Sequence, residues 1–359
     1  MKFVSIQNEN ELLEWVRLFL ASDKVTIANI SNDRSTRNAV VESAQRLVSQ
    51  AYFERNIIAE ESIHEILSEI YDLEFSSANI NSIDADPLPV LHDIISIFEA
   101  ALFNHEITQI NPKDVVTGIQ TGEEYELWFR QLLNDHRAGH HEYYVDFLAN
   151  RATEVDIRYL LSQETSLDPR FDDILALLQL GTFGQEKMEI AKNYWDEMGN
   201  GNSSHVHTHL FSKALNAVDA NRNFIKENLT LEAKMSGNIS ACLALRRRNY
   251  FKAVGYFGVT EYLAPRRFKS LVKAWERNRL PAEGIEYHKI HIKIDAIHGS
   301  AWIKNVICPL VGKSQEIGND IALGAMIRLN SSERYLDRLL EDSDSLNRGL
   351  TYKEKGYGS

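Results

Sequence analysis

The stretch YHKIHIKIDAIH, residues 287–298, carries three potential metal ligands, His291, Asp295 and His298. Each residue of an α-helix advances by about 100°, so steps of four and then three residues return a side chain to nearly the same direction. The three side chains are therefore predicted to share one face of a helix. Isoleucine and tryptophan residues offer apolar surface around most of the remaining cylinder, and the helix is expected to pack inside a helical bundle.

A buried polar face of this kind needs a partner. Neutral imidazole together with carboxylate suits divalent iron, zinc or manganese. The alternative is a network of hydrogen bonds inside the core, in which the same groups satisfy one another. This helix by itself leaves both interpretations open.

Composition narrows the class of protein. The chain has 359 residues, 44% of them hydrophobic, and a formal net charge of −12, which argues against nucleic acid or an anionic membrane as the main partner. The two cysteines, Cys242 and Cys308, lie among apolar neighbours and are expected to be packing residues in a reducing compartment. The sequence has no run of 18 uncharged apolar residues and does not begin like a signal peptide, so a cytoplasmic location is expected.

Apolar residues recur at spacings of three and four along most of the chain, and the alternation typical of strands is nearly absent. The sequence therefore predicts an all-α protein. A long helix is expected over residues 231–263, ending at Pro265. The polar run at 134–141 is interpreted as an exposed linker and a domain boundary, and the glycine-bearing segment 342–359 as a polar tail.

Other ligands for a metal are expected where a charged residue interrupts an apolar helical face. Glu261 is the strongest, because no other charge occurs between residues 254 and 263 and an isolated buried carboxylate would stay protonated without a compensating partner. Glu164 follows an apolar run on an earlier helix. Glu197 precedes His207 by ten residues, and the glycine and serine residues between them are needed to turn both side chains toward one centre.

At these residues the sequence resembles the heme-oxygenase-like diiron oxidase superfamily over roughly residues 140–325. The resemblance rests on Gln163-Glu164, on Glu197-x-Gly-x-Gly followed by His207-x-x-Leu-Phe, on the glycine-bearing helix around Glu261, and on the residues His291-x3-Asp295-x2-His298. It implies an all-α, heme-oxygenase-like bundle at 136–341 and an additional N-terminal helical region at 1–135 that supports the bundle or a homodimer. The ligands it implies are Glu164, Glu197, His207, Glu261, His291, Asp295 and His298.

The resemblance also implies the chemistry. Four carboxylates would balance the charge of two ferrous ions, and three imidazoles favour iron over magnesium or calcium. The expected activity is that of an O2-dependent oxygenase or oxidase acting on a small molecule, with an external electron donor. N-oxygenation of an amine or amino-acid-like substrate is favoured, and oxidative C–C cleavage or decarboxylation of a fatty or amino acid is the alternative. Arg158, Arg266 and Lys252 are candidates for holding a substrate carboxylate.

Three rival interpretations remain. A ferritin-like bundle requires two Glu-x-x-His motifs, and only Glu61 with His64 fits that pattern. A zinc hydrolase would have to use the histidines of the 134–141 segment, which are expected to be exposed. A metal-free helical hydrolase or scaffold would be expected to replace several of the seven implied ligands with apolar residues.

Overall fold

The computed structural model describes residues 11–77, 88–115, 118–119 and 121–347, and every regular element in them is helical. The all-α prediction is confirmed. The sequence pattern of amphipathic helices is interrupted at 79–89, and most of that segment lies outside the described residues, as do the last twelve residues of the predicted polar tail. Up to residue 347 the segment predicted as a tail continues the last helix. None of the described helices is both long enough and apolar enough to cross a membrane.

The chain divides into two compact units, each described here by itself. The first comprises residues 1–109 and 237–242, and the second comprises residues 110–236 and 243–359. The predicted domain boundary near residue 135 stays a prediction. The helices of the first unit are α1 Glu11–Leu20, α2 Lys24–Asn32, α3 Arg34–Val48, α4 Ile57–Glu74 and α5 Pro89–Thr108. To these the unit adds the middle of α12, Leu231–Leu245.

The first unit is held by apolar helix faces and by a few charged contacts. Asp23 and Asn56 cap the N-termini of α2 and α4, each accepting hydrogen bonds from two backbone N–H groups. Arg37 on α3 forms a two-pronged ion pair with Asp93 on α5, at 2.7 and 2.9 Å. His64 is fully buried, and its Nδ1 lies 3.2 Å from the side-chain amide of Asn238.

The second unit contains the residues of interest. Its helices are α6 Gly122–Asp135, α7 Glu154–Glu164, α8 Phe171–Leu178, α9 Gly184–Glu197, α10 His207–Ala217, α11 Arg222–Asn228, the ends of α12, α13 Tyr250–Arg277, α14 Glu286–Trp302, α15 Cys308–Val311 and α16 Gln315–Asn347. Two π-helical stretches, Tyr143–Arg151 and Ile303–Ile307, also belong to it. A capping box between Thr153 and Asp156 begins α7.

Helix α13 lies between α14 and α16 and forms the centre of this unit. The expected stop at Pro265 is wrong, because α13 continues through the proline to Arg277. A proline inside a helix costs about 3 kcal/mol. The turns beyond it bury Phe268, Leu271 and Trp275 in the core, and this apolar burial offsets that cost. The expected continuity over 231–263 is also wrong, since Arg246 is extended and a short 3-10 turn separates α12 from α13.

Candidate metal centre

The shared face of α14 is confirmed. His291, Asp295 and His298 are all buried, with 4–5% of their surface exposed. The helix is less enclosed than predicted, because Ile297 on the opposite side is 60% exposed. Around the buried face the structure forms two clusters, each with three side chains whose ligand atoms lie within 4.8 Å of one another.

The first cluster, here the Glu197 group, consists of Glu197 from α9, His207 from α10 and His291 from α14. Nδ1 of His207 lies 2.8 Å from Oε2 of Glu197, and Nε2 of His291 lies 3.5 Å from Oε1. The two imidazole rings are 4.3 Å apart between centroids. Although Nδ1 of His207 is buried and close to the carboxylate, it has no hydrogen-bond partner of acceptable geometry. Three ligand atoms that converge in this way fit a shared cation.

The turn between α9 and α10 makes the Glu197 group possible. Gly199 has a φ of +59°, and a Cβ placed there would come within 2.6 Å of the backbone of His205. Only glycine fits both the left-handed conformation and this close approach. The predicted role of the glycine and serine break is therefore confirmed: it reverses the chain and brings Glu197 and His207 together.

The second cluster, here the Glu261 group, consists of Glu261 from α13 with Asp295 and His298 from α14. Nδ1 of His298 lies 4.0 Å from Oε2 of Glu261. The helices approach closely at this point because residue 299 is glycine. A Cβ on Gly299 would lie 2.7 Å from Cα of Tyr262 and 3.2 Å from the carbonyl carbon of Glu261.

Two contacts fix which nitrogen of each imidazole is free. Nδ1 of His291 lies 2.8 Å from the carbonyl oxygen of Tyr287, which can only accept, so this nitrogen donates its proton there and Nε2 is the nitrogen that faces Glu197. Nε2 of His298 lies 2.8 Å from Oδ2 of Asp196, which leaves Nδ1 toward Glu261. Carboxylate and carbonyl partners of this kind accompany metal-binding histidines. Asp196, next to Glu197 in sequence, was missed by the sequence analysis.

The electrostatics of the two groups differ. Burial raises the pKa of Glu197, but the adjacent His207 and His291 rings outweigh it and lower that pKa to about 2. Burial raises the pKa of Glu261 well above its usual value, and Glu197 raises it further. The pKa of Asp295 is likewise raised by burial and by Glu261. A divalent cation would stabilise the ionised form of the two carboxylates in the Glu261 group.

Glu164, the remaining predicted ligand, is not part of either group. It lines a neighbouring cavity, where burial raises its pKa and the positive charges of Arg267 and Arg328 lower it. Asp168 lies between this cavity and a second one lined by Glu261, His291 and Asp295. Its Oδ2 atom is buried without a hydrogen-bond partner. Asp168 begins a short 3-10 turn that three residues separate from the end of α7, and no helical spacing in the sequence marks it.

Other histidines named from the sequence lie outside the two groups. His205 and His209 are exposed. His288 is fully buried among aromatic rings, and burial lowers its pKa to about 3. The 134–141 segment is not the exposed linker predicted, because His141 is 1% exposed and His136 half-buried.

The three candidate cations for a substrate carboxylate have other partners. Arg158 stacks over the ring of Phe224 at 3.9 Å. Arg266 is exposed and bonds to the carbonyl of Gly139 and the side chain of Asn134. Lys252 pairs with Asp320 at 2.7 Å.

A comparison with protein families agrees with a metal centre at these residues. Residues 158–333 match the family model of heme-oxygenase-like proteins described as an iron-containing redox enzyme, close to the range 140–325 predicted from the resemblance. A search of the curated proteins gave no match. Among solved structures, a domain of unknown function with a heme oxygenase-like fold from Shewanella denitrificans OS217 matches at 14% identity and a TM-score of 0.47. The match covers 66% of this chain and 96% of that one.

Proposed function

Because residues 158–333 belong to the heme-oxygenase-like family of iron-containing redox enzymes, we propose that the protein is an O2-dependent, non-heme diiron oxidase or oxygenase. One ion would be held by the Glu197 group and the other by the Glu261 group. The observation that carries the proposal is the pair of buried three-residue clusters on adjoining turns of α14.

The donor set fits iron. Together the groups offer three carboxylates and three imidazoles, which suits divalent iron better than the all-oxygen sites preferred by magnesium and calcium. Iron bound there would supply the redox chemistry of oxygen activation. The side chains named above would set its position, and Asp196 and the Tyr287 carbonyl would hold His298 and His291 in the tautomers that direct a lone pair inward.

The surroundings of the Glu197 group would limit the entry of water. The ring of Tyr287 lies 4.2 Å from that of His291, and Phe268 lies 5.5 Å from it on another side. Phe211 packs against Tyr287 at 5.3 Å. An aromatic wall of this kind excludes water and thereby strengthens electrostatic interactions among the ligand side chains.

For the reaction, we favour N-oxygenation of an amine or amino-acid-like substrate with electrons from an external donor. Oxidative C–C cleavage or decarboxylation of a fatty or amino acid at the same centre is the alternative. The preference rests on the resemblance alone, because members with an added helical region and a ten-residue Glu to His spacing look most like the N-oxygenases. Identification of products after ferrous loading and exposure to O2 separates the two reactions.

The test compares His207→Ala with His209→Ala, two changes on the same helix. His207 belongs to the Glu197 group, whereas His209 is exposed. The wild type and His209→Ala should each bind about two ferrous ions per chain anaerobically, and His207→Ala about one, with loss of most O2 consumption. The measurements are iron content after desalting and oxygen uptake. Equal iron content in the two variants, or none in the wild type, would overturn the proposal.

A further inference from the structure

A second cavity adjoins the candidate metal centre and differs from it in charge. It has a volume of about 60 Å³ and lies between α7, α13 and α16, with Arg267 and Arg328 in its wall. The cavity beside the Glu261 group measures about 40 Å³. The two share Leu167, Asp168 and Phe268 as lining residues, so they are neighbours. One ordered water needs about 10–15 Å³, so the arginine cavity has room for a group of a few atoms.

Arg328 is an unusual residue for this location. Only 5% of it is exposed, and its Nε is buried with no hydrogen-bond partner. Nη1 donates to the hydroxyl of Ser236 at 2.9 Å, and the guanidinium lies over the ring of Tyr256. These contacts hold the guanidinium in place, but among the described residues no carboxylate lies within ion-pair distance of it. A buried guanidinium without a direct ion pair is costly, which favours an anionic partner.

Arg267 faces the same cavity from α13. Among the described residues, neither Arg267 nor Arg328 takes part in an ion pair. Tyr335 adds a hydroxyl group that is buried and has no hydrogen-bond partner. Two guanidinium groups and a free hydroxyl in one small cavity present the planar donors that recognise a carboxylate.

The acidic residues of the cavity do not cancel this arrangement. Glu164 is a predicted metal ligand, and its charge would be met by the cation if it turned toward the centre. Asp168 also lines the cavity beside the Glu261 group, so its charge would be met by a cation bound there. One arginine suffices to balance Glu164, and the second remains available for a ligand.

We propose that Arg267 and Arg328 bind the carboxylate group of the substrate, so that the rest of the molecule extends past Phe268 toward the Glu261 group. This inference rests on the proposed function for the identity of the reacting centre, but not for the binding itself. It restricts the substrate to carboxylates, amino acids or fatty acids, and excludes simple amines.

The experiment measures binding without turnover. Melting curves of metal-free and anaerobic ferrous protein are recorded with each common amino acid and a series of straight-chain fatty acids, and each compound is compared with its primary amide. The amide keeps the shape and removes the charge. At least one carboxylate should raise the melting temperature, and its amide should not. Equal effects of every acid and its amide, or no effect of any acid, would overturn the proposal.

The variants are Arg267→Gln and Arg266→Gln, neighbours that carry the same change of charge. Arg266 is exposed and directed away from the cavity. Arg267→Gln should weaken binding of the active carboxylate by about 10-fold to 100-fold, the loss expected for hydrogen bonds to a charged group, and Arg266→Gln should not. Equal affinities in both variants would overturn the assignment. Arg267→Lys, which keeps the charge, should recover part of the affinity and guards against a folding defect in the glutamine variant.

The proposed function can fail separately. If iron does not bind but the active carboxylate still distinguishes Arg267→Gln from Arg266→Gln, the carboxylate site stands and the diiron centre does not. If iron binds in both groups while the two variants behave alike, the diiron centre stands and the carboxylate site does not.

Discussion

Two regions of the second unit are rich in histidine and carboxylate, and they use these residues differently. In the turn after α6, Nδ1 of His141 accepts a hydrogen bond from the backbone of Tyr143, and Nε2 lies 3.1 Å from Asp337. His136 likewise has one ring nitrogen against a backbone N–H and the other against Asn330. On α14, His291 and His298 each contact a neighbouring oxygen atom with one ring nitrogen only. The other ring nitrogen of each faces a carboxylate of the candidate centre.

The difference shows what makes a buried histidine available to a metal. Residue type is the same in both places, and His141, Glu142 and Asp337 even lie close enough together to resemble a site. Both nitrogens of His141 are occupied, however, so no lone pair remains for a cation. The zinc-hydrolase interpretation therefore loses His136 and His141 as ligands, even though the segment is more buried than predicted.

The largest change in iron binding and stability is expected from Glu261→Gln. In the iron-loaded protein the change should remove the ion of the Glu261 group and lower the melting temperature. In the metal-free protein it should raise stability by about 1–3 kcal/mol, because a buried carboxylate among other carboxylates is replaced by a neutral amide. Denaturation with and without ferrous iron measures both. A variant that is less stable in both states would indicate a structural hydrogen-bond network.

Iron should stabilise the wild type through its preference for the folded chain, by about 4 kcal/mol at a free concentration 1,000 times the dissociation constant. The same addition should stabilise Glu261→Gln much less. Equal shifts in both proteins would show that iron binds elsewhere.

A smaller effect is expected from Asp196→Asn. Asp196 accepts from Asn200 with one oxygen and faces His298 with the other, and an amide has only one acceptor oxygen. His298 should lose its fixed tautomer, and iron affinity at the Glu261 group should fall by about 10-fold to 100-fold. Metal titration against a competing chelator measures this, and the Glu197 group provides the internal reference. An unchanged affinity at the Glu261 group would remove the orienting role.

The smallest effect on iron is expected from His141→Ala. The change leaves Asp337 and the Tyr143 N–H without their partner, and should destabilise the fold by about 1–3 kcal/mol. Iron content and oxygen uptake should match the wild type. Loss of one equivalent of iron in the folded variant would show that His141 does bind iron.

The polar face of α14 could be predicted because helical periodicity is a local property. The spacing of His291, Asp295 and His298 by four and then three residues is enough to place them on one face. The ten-residue interval from Glu197 to His207 could be interpreted for a similar reason, since glycine marks the reversal. The prediction that a helix ends at Pro265 was wrong because the effect of a proline depends on the apolar burial of the turns that follow it. That burial is decided by helices distant in sequence.

The arginine cavity was missed for a related reason. The sequence analysis chose Arg266 as a candidate, although the sequence alone gives no reason to prefer it to the adjacent Arg267. The structure decides between them through the position of each residue around α13. Thr260, Ala264 and Arg267, at spacings of four and then three residues, all line the cavity. The same spacing had marked α14, but without acidic or imidazole side chains it carried no chemical signal.

The close approach at Gly299 has a further consequence for how such a centre could evolve. Glu261 and His298 lie on closely packed turns of α13 and α14 because Gly299 carries a hydrogen atom where every other residue carries a Cβ. Any larger residue at 299 would force α13 and α14 apart and widen the distance across the centre, whatever ligands were retained. Inheritance of the candidate ligands alone would therefore not preserve the geometry of the site, which also depends on glycine at position 299.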